Sequence, residues 1–218
     1  MNQIVSSKDG SDTLYSKTFK EHYHSTFGAI KESEHIFIHA ALQPMSDQKN
    51  TLRIFEVGFG SGLNALLSFK YAQKENIHIE YHAVEAFPIA QKEMEKLNYP
   101  ELTQIDKNVF FKFHSKFDHP IQIDSKFQLT IYRNTLQKLT LNDDYYDVVF
   151  YDAFSPGTQP EMWETSCFNK IYQAMRKNGI LTTYTCKGSV KRALKSVGFK
   201  IEKLPGPPGK REFLRAFK

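Results

Sequence analysis

A glycine-rich segment in the first half of the chain has the residue types of a ligand-binding turn. Gly58, Gly60 and Gly62 lie between an apolar stretch that begins at Leu52 and a helical pattern of apolar residues that begins at Leu63. A buried strand, a glycine loop and the start of a helix bring bare backbone N–H groups against a bound ligand. The segment therefore predicts a nucleotide-like ligand, and a glycine-rich turn that binds nothing is the alternative.

The spacing of these glycines favours S-adenosylmethionine over a dinucleotide. In the dinucleotide-binding pattern the third glycine comes three residues after the second, whereas Gly62 comes one residue earlier. Glu56 lies two positions before Gly58, where a carboxylate repels a pyrophosphate and attracts an ammonium group. S-adenosylmethionine carries an ammonium group, and also a carboxylate that suits a helix N-terminus. We therefore expect a methyl donor in this loop.

Three polar residues follow later strands of the predicted sheet. Glu85 ends the second strand, where a carboxylate can accept hydrogen bonds from both hydroxyls of a ribose; a surface glutamate before a helix is the alternative. Asn134, after the third strand, is a candidate contact for an adenine amino group. Asp152 ends the fourth strand, beside the first, at the edge where ligands of such sheets bind. Its carboxylate can hold an amine nucleophile against a methyl group, and such positioning is most of what methyl transfer requires.

The apolar pattern predicts an α/β fold from residue 51 onward, because strands and helices alternate as in an open, mostly parallel sheet. The predicted strands cover residues 52–57, 77–84, 127–132, 146–151, 179–185, 199–203 and 212–217. The predicted helices behind them cover residues 89–97, 101–118, 160–175 and 189–196. The last two strands are joined by a loop too short for a parallel crossover, which predicts an antiparallel hairpin. This Rossmann-like architecture is usual for class I S-adenosylmethionine-dependent methyltransferases.

Length and composition predict one globular domain with a small extension. Residues 1–50 show a hairpin-like alternation at 13–23 and a helical pattern at 27–42, and residues 51–218 hold the predicted sheet. The hydrophobic content of 40% and charged content of 24% are ordinary for a protein of 218 residues. Apolar runs fall short of the ~20 residues of a membrane span, and the first residues lack a signal-peptide core. Because Cys167 and Cys186 make neither a disulfide framework nor a metal cluster, we expect a cytoplasmic protein without a metal.

The formal net charge of +5 is compatible with a polyanionic partner. Basic residues cluster toward the end of the chain, and several of them fall at helical spacing, so an ordinary solvated helix face is the alternative. The residues expected to contact phosphates are Lys187, Lys191, Arg192, Lys210 and Arg211.

Several short motifs, in chain order, resemble those of one family. They are Tyr-His-Ser at 23–25, Glu-Val-Gly-Phe-Gly-Ser-Gly-Leu-Asn at 56–64, Tyr-Asp-Ala-Phe-Ser-Pro at 151–156, Pro-Glu-Met-Trp at 160–163, Thr-Tyr-Thr-Cys at 183–186 and Gly-Lys-Arg-Glu at 209–212. Over residues 13–217 the chain resembles the methyltransferase domain of the bifunctional tRNA 5-methylaminomethyl-2-thiouridine biosynthesis (MnmC) family and its stand-alone relatives. The family usually carries Gly-Asp where this chain has Arg133 and Asn134.

The resemblance implies N-methylation of 5-aminomethyl-(2-thio)uridine at the wobble position of tRNA, in the anticodon. It implies S-adenosylmethionine as the cofactor, with Asn64 among the residues that bind it, and a separate oxidase or other amine-generating enzyme as a candidate partner. Asp152 is expected to orient the amine rather than act as a strong base, because an ordinary aspartate titrates near pKa ~4. The side chains expected to contact the uridine are Tyr23, His24, Glu32, Phe154 and Trp163.

Two other functions stay open on the residues alone. One is methyl or aminopropyl transfer to a free small-molecule amine, since that class also places an aspartate after the fourth strand. The other is a nucleotide-binding module without catalysis. Dependence on intact tRNA separates the first alternative from a tRNA enzyme, and methyl turnover excludes the second.

Overall fold

The computed structural model describes residues 2–218. Its strands are β1 (Gln3–Ser6), β2 (Asp12–Ser16), β3 (Glu21–His22), β4 (Thr51–Val57), β5 (His78–Val84), β6 (Ile121–Gln122), β7 (Phe127–Tyr132), β8 (Tyr146–Tyr151), β9 (Met175–Thr183), β10 (Lys200–Pro205) and β11 (Glu212–Phe217). Its α-helices are α1 (Ala29–Ser33), α2 (Gln43–Ser46), α3 (Leu63–Glu75), α4 (Gln91–Met94), α5 (Tyr99–Thr103), α6 (Lys107–Phe113), α7 (Thr165–Ala174) and α8 (Gly188–Ser196). A π-helix (Glu34–Leu42) joins α1 to α2, and a 3₁₀-helix (Pro160–Trp163) precedes α7.

Strands β4 to β11 form one sheet in the order β10-β11-β9-β8-β4-β5-β7-β6. The strands from β9 to β7 in this order are parallel, and β10 and β11 form the antiparallel hairpin that the short loop predicts. The connections reverse direction between β4 and β8, which makes this the switch point of the sheet. Val57 pairs with Tyr151, so the residues that follow them, Gly58 and Asp152, leave the same edge side by side. The predicted Rossmann-like fold is confirmed.

Helices cover both faces of the large sheet, which explains why its central strands are apolar on both sides. On one face, α3 and the π-helix pack over residues such as Ile54 and Phe150. On the other face, α7 and α8 pack over Phe55 and Tyr151. Neighbouring residues of a strand point to opposite faces, so β4 and β8 each contribute to both cores. A ligand can therefore approach these strands only at their ends.

The N-terminal part of the chain forms a second, three-stranded antiparallel sheet of β1, β2 and β3. It contains the hairpin predicted at 13–23 and adds β1, which the pattern did not predict. The helical segment that follows carries its apolar residues into the core of the large sheet. Phe37 packs against Phe150 there, with ring centroids 5.2 Å apart. This shared core fixes the small sheet over one end of the large one.

The helix bounds differ most from the sequence prediction. The helix predicted at 101–118 is two short helices, because Gln104 ends α5 with a left-handed φ of 60° and Asp106 caps α6. The cap is a hydrogen bond of 2.7 Å from the Asn108 backbone nitrogen to the Asp106 carboxylate. The helix predicted at 160–175 begins as the 3₁₀-helix and ends before Met175, where β9 starts. Among residues 2–218, none of the helices combines the length and apolar character that a membrane span requires.

Candidate active site

A cavity of 690 Å³ lies at the carboxyl end of the parallel strands, beside the switch point. Its walls come from the glycine loop after β4, the ends of β5, β7, β8 and β9, the segment after β3 and the loop between β10 and β11. It contains most of the residues that the sequence predicts for the site. Those at its surface are Tyr23, His24, Glu32, Gly58, Gly60, Glu85, Asn134, Asp152, Phe154 and Lys210.

The glycine loop brings the main chain against the cavity in a way that other residues cannot reproduce. Gly58 has a φ of 88°, and a Cβ there would lie 2.7 Å from the backbone oxygen of Asp152. Gly60 has a φ of 53°, and its Cβ would lie 2.9 Å from Cδ1 of Tyr23. Both positions thus require glycine for backbone conformation and for close approach.

Glu85 is held at the cavity wall by two backbone donors. Its Oε2 accepts a hydrogen bond from the Gly60 nitrogen at 2.8 Å, and its Oε1 accepts one from the Phe87 nitrogen at 2.7 Å. Burial raises its pKa, although both hydrogen bonds act in the opposite direction. Each carboxylate oxygen has a further lone pair, so Glu85 can still accept from a diol. Asn134 lines the same cavity, with its Oδ1 accepting from the Thr135 nitrogen at 2.9 Å.

The pKa of Asp152 is unusually high for an aspartate. Burial, followed by the nearby charge of Glu32, raises its pKa to about 7, while a hydrogen bond from Asn64 and the charge of Lys210 lower it. Asn64 Nδ2 donates to Asp152 Oδ2 at 2.9 Å. The expectation of an ordinary pKa near that of a solvated aspartate is therefore wrong. At neutral pH this carboxyl group is close to its midpoint and can exchange a proton.

His24 and Glu32 are two further titratable residues near Asp152. His24 Nδ1 is 4.0 Å from Asp152 Oδ2, and its Nε2 shares a hydrogen bond of 3.1 Å with the Ser61 hydroxyl. Burial lowers the pKa of His24 to about 4, so the imidazole is neutral at physiological pH. Glu32 Oε2 is 2.7 Å from Lys210 Nζ, which also lies 4.2 Å from the centre of the Tyr184 ring. Lys210 is thus part of the cavity wall rather than a solvated phosphate contact.

Aromatic rings surround the open side of the cavity. Phe154 stacks on Phe19 with centroids 4.6 Å apart, and Tyr23 meets Phe154 edge-on at 5.0 Å. Phe87, which is 59% exposed, packs against Phe19 at 5.5 Å. Trp163 requires a correction: its ring is buried in the core, and its Nε1 donates to the Phe154 backbone oxygen at 2.8 Å. It supports Phe154 rather than offering a surface for a base.

Other predicted residues lie outside the cavity. Glu56 and Asn64 are buried below it and hydrogen-bonded to each other at 2.8 Å. Gly62 starts α3 with a φ of 79°, close to the Phe59 ring. Glu56 therefore cannot meet a ligand ammonium group directly. The predicted basic residues that lie on the outer surface are Lys187, Lys191, Arg192 and Arg211.

The structure adds site residues that sequence reasoning did not single out. Glu21 lines the cavity and accepts hydrogen bonds of 3.1 and 3.3 Å from the Ser155 nitrogen, which ties β3 to the loop after β8. Tyr184 also lines the cavity, and its hydroxyl donates to the Ala153 oxygen at 3.0 Å. Tyr184 belongs to a motif that carries the family resemblance, which was an available signal. Nothing in the local pattern marks Glu21, because its partner is far away in the chain.

The cavity is strongly acidic. Among the described residues that line it, five are acidic and one is a lysine: Glu21, Glu32, Glu85, Asp152, Glu161 and Lys210. Such a wall attracts cations and repels phosphates. Residues 2–218 contain no cluster of three or more potential metal-ligating side chains.

The sequence is similar to proteins from several bacteria. Residues 100–218 match the S-adenosyl-L-methionine-dependent methyltransferase family. The tRNA 5-methylaminomethyl-2-thiouridine biosynthesis bifunctional protein MnmC of Leptospira borgpetersenii is 30% identical over an alignment of 218 positions, which covers 93% of this chain and 33% of that protein. The protein of the same name from Methylobacillus flagellatus is 27% identical over an alignment of 212 positions, which covers 92% of this chain and 33% of that protein. The chain thus spans about a third of the length of these curated relatives.

Solved structures show the same fold. MNMC2 from Aquifex aeolicus has a TM-score of 0.80 and 26% identity, covering 100% of this chain and 70% of that chain. Spermidine synthase from Thermotoga maritima has a TM-score of 0.55 and 13% identity, covering 100% of this chain and 69% of that chain, which shows a shared fold alone. The family match covers more than half of the sequence, and the glycine loop and switch-point cavity agree with it. The chain belongs to the S-adenosyl-L-methionine-dependent methyltransferase family.

Proposed function

We propose that this methyltransferase acts on the amino nitrogen of 5-aminomethyl-(2-thio)uridine at the wobble position of tRNA, giving 5-methylaminomethyl-(2-thio)uridine. The observation that carries the proposal is the acidic cavity at the switch point, with Asp152 in its wall. Its acidic residues suit two cationic ligands, a sulfonium methyl donor and an alkylamine. The names of the MnmC relatives and of the Aquifex structure support the choice of nucleoside and of tRNA.

The residues around the glycine loop fit S-adenosyl-L-methionine. Gly58 and Gly60 line the cavity with main chain alone, Glu85 can accept from ribose hydroxyls, and Asn134 is placed to contact an adenine. The cavity volume of 690 Å³ lies within the roughly 300–1,000 Å³ usual for ligand pockets. When bound, the cofactor supplies a methyl group on a positively charged sulfur that departs as a neutral thioether.

Asp152 is proposed to orient the amine and to take its surplus proton. An alkylamine is an ammonium ion at neutral pH, so the carboxylate would first accept one of its protons and free the nitrogen lone pair. The nitrogen would then take the methyl group, forming the N–C bond as the C–S bond breaks, and the product would leave as a secondary ammonium ion. A pKa of about 7 suits this transfer at neutral pH far better than that of an exposed aspartate.

The segments around the cavity mouth are proposed to hold the tRNA. Phe154, Phe19 and Tyr23 offer ring faces and edges on which an extruded uridine can stack. Residues 1–50 act in this proposal as an extension that contributes the substrate side of the cavity, and residues 51–218 as the methyltransferase domain. Basic residues on the outer surface contact phosphates, and a separate enzyme supplies the aminomethyl group, in the cytoplasm.

The test is single-turnover methylation with saturating cofactor, comparing tRNA that bears 5-aminomethyluridine with the free nucleoside and with a diamine. We expect methylation of the tRNA, with 5-methylaminomethyluridine identified by mass analysis of its nucleosides. Equal rates on free amines would favour a small-molecule transferase. Cofactor binding without turnover on any amine would favour a non-catalytic module.

A further inference from the structure

The side chain of Asn64 joins two carboxyl groups below the cavity. Its Nδ2 donates one hydrogen bond to Glu56 Oε1 at 2.8 Å and a second to Asp152 Oδ2 at 2.9 Å. Asn64 and Glu56 are 2% and 1% exposed, whereas Asp152 is part of the cavity wall. Asn64 therefore contacts Asp152 from the protein interior and leaves the cavity side of the carboxyl group free.

The surroundings decide which end of the Asn64 amide faces the carboxyl groups. With the amide reversed, its oxygen would face two further acceptors. As placed, Oδ1 is buried and has no hydrogen-bond partner among residues 2–218. A buried acceptor without a hydrogen-bond partner costs free energy, so the two hydrogen bonds that Nδ2 donates must stabilise the fold by more than that cost. The arrangement indicates that holding the two carboxyl groups is the purpose of this side chain.

The charge of Asp152 acts on Glu56. Glu56 also accepts a hydrogen bond from the Tyr81 hydroxyl at 2.9 Å, and burial together with the charge of Asp152 raises the pKa of Glu56 well above its usual range. Two neighbouring buried carboxyl groups do not ionise together readily. The titratable groups that face Asp152 from the surrounding elements are His24, Glu32, Glu56, Tyr81, Tyr184 and Lys210.

We infer that Asn64 is a positioning residue for Asp152: by donating to both Asp152 and the buried Glu56, it holds the Asp152 carboxylate toward the amine. The inference rests on the proposed role of Asp152 in amine methylation. It differs from the cofactor contact that the sequence predicts for Asn64, because the Asn64 amide is turned toward the two carboxyl groups.

The experiment is a titration of Asp152 in the full-length protein by carbon NMR of labelled aspartate carboxyl groups, with the signal assigned through Asp152→Asn. In Asn64→Leu, loss of the donor to the ionised form should move the Asp152 midpoint up by about one pH unit. The pH dependence of the single-turnover rate should move with it. The affinity for S-adenosylmethionine, measured by calorimetry, should change by less than about threefold.

Ser68→Ala is the matched control. Ser68 is buried in the same helix, and its hydroxyl donates to the Asn64 backbone oxygen at 2.8 Å rather than to either carboxyl group. Its removal should leave the Asp152 midpoint unchanged. If Asn64→Leu does not fold, Asn64→Ser, whose hydroxyl is too short to bridge the two carboxyl groups, is titrated with the same expectation.

An unchanged Asp152 midpoint in the Asn64 variant overturns the inference. If that result comes with a tenfold or greater loss of cofactor affinity, Asn64 is a cofactor contact instead. The titration needs no tRNA, so these outcomes can be read even where the proposed tRNA reaction fails.

Discussion

At the scale of single residues, burial rather than residue type determines the chemistry of Asp152. Its pKa rises from an ordinary 3.8 to about 7 in the folded protein, mainly through loss of hydration. A carboxyl group with a raised pKa in the folded state costs no stability below its unfolded pKa. The cost grows as pH rises from there to about 7, because the folded state resists losing the proton. The proposed catalytic group therefore destabilises the fold at neutral pH.

Asp152→Asn should separate catalysis from folding. Without the carboxylate, single-turnover methylation should fall by about 100-fold or more, while calorimetry shows unchanged cofactor affinity. At pH 8 the variant should melt a few degrees above the wild type, and at pH 4 the two should melt together. Asp152→Glu should also be slow, because the added methylene displaces the amine. A near-normal rate for Asp152→Asn would place the orientation of the amine elsewhere, with His24 or Glu32 next to be tested.

The wild-type enzyme should show a pH dependence set by the same group. Because the ionised form of Asp152 accepts the proton, the single-turnover rate should rise about tenfold per pH unit below the midpoint and level off above it. The midpoint should lie near the pKa of about 7. The neutral His24, whose pKa burial lowers to about 4, adds no step in this range. A rate that is flat from pH 6 to 8 would contradict the role given to Asp152.

The glycine loop gives a prediction about cofactor binding. A side chain at Gly60 would meet the Tyr23 ring, so Gly60→Val should abolish binding of S-adenosylmethionine in calorimetry. Gly10→Val is the control, since Gly10 also has a positive φ, of 85°, but among residues 2–218 no atom beyond Gly10 and its two chain neighbours lies within 4 Å of the position that its Cβ would occupy. Unchanged affinity in Gly60→Val would refute the assignment of this loop to the cofactor.

Residue types alone could predict part of this site. The glycines, Glu85 and Asp152 follow apolar strands directly, so their place at the sheet edge follows from the strand pattern. Trp163 lies in an equally suggestive motif but is buried. A sequence motif does not distinguish a ring in the core from a ring that offers a stacking surface, so this burial could not be predicted. The raised pKa of Asp152 could not be predicted, since the burial and the Glu32 charge that cause it come from elements distant in the chain.

At the scale of elements, the small N-terminal sheet completes the cavity. Glu21 in β3 accepts hydrogen bonds from the Ser155 nitrogen, and Phe19 stacks on Phe154. These contacts hold the loop that follows Asp152. In the proposed function, the hairpin therefore positions the substrate side of the site while the glycine loop forms the cofactor side.

Glu21→Ala should release this loop. We expect kcat/KM for tRNA to fall by about tenfold, with a much smaller change in cofactor affinity, because the glycine loop and Glu85 are untouched. Lys17→Ala in the same hairpin, where the side chain is exposed, should have no effect. Equal losses in both variants, or a loss confined to cofactor affinity, would contradict the assignment of the hairpin to the substrate side.

The elements themselves were predictable where packing enforces a strict pattern. Strands β7, β8 and β11 have the bounds that the sequence predicts, because half or more of the residues in each are buried in a sheet covered by helices. The short helices were not predictable, since the left-handed Gln104 and the Asp106 cap divide a segment of continuous helical character. The contact between β3 and the loop after β8 joins residues 134 positions apart and leaves no local signal.

At the scale of the whole molecule, the proposed function assigns the amine to the acidic cavity and the tRNA phosphates to the basic outer surface. Carboxylates in the cavity repel phosphates and favour the cationic amine. Helix α8 begins at Gly188, directly after Lys187. The loop that leads from Asp152 toward the 3₁₀-helix contains Gly157, and a Cβ built at Gly157 would lie 3.6 Å from Lys187 Nζ. The basic side of α8 is thus near the cavity mouth. Phosphates flanking the wobble nucleotide are the groups it suits.

If α8 contacts those phosphates, tRNA affinity should fall steeply with salt, and Lys191→Ala/Arg192→Ala should flatten the slope of log affinity against log salt by about two. The matched control is Lys70→Ala/Lys74→Ala, which removes the same charge from α3, on the opposite face of the sheet. That control should lower affinity only weakly, through the long-range field. Filter-binding titrations at several salt concentrations measure both slopes. Equal slopes for the two double variants would show that α8 presents an ordinary solvated face, and that tRNA is held elsewhere.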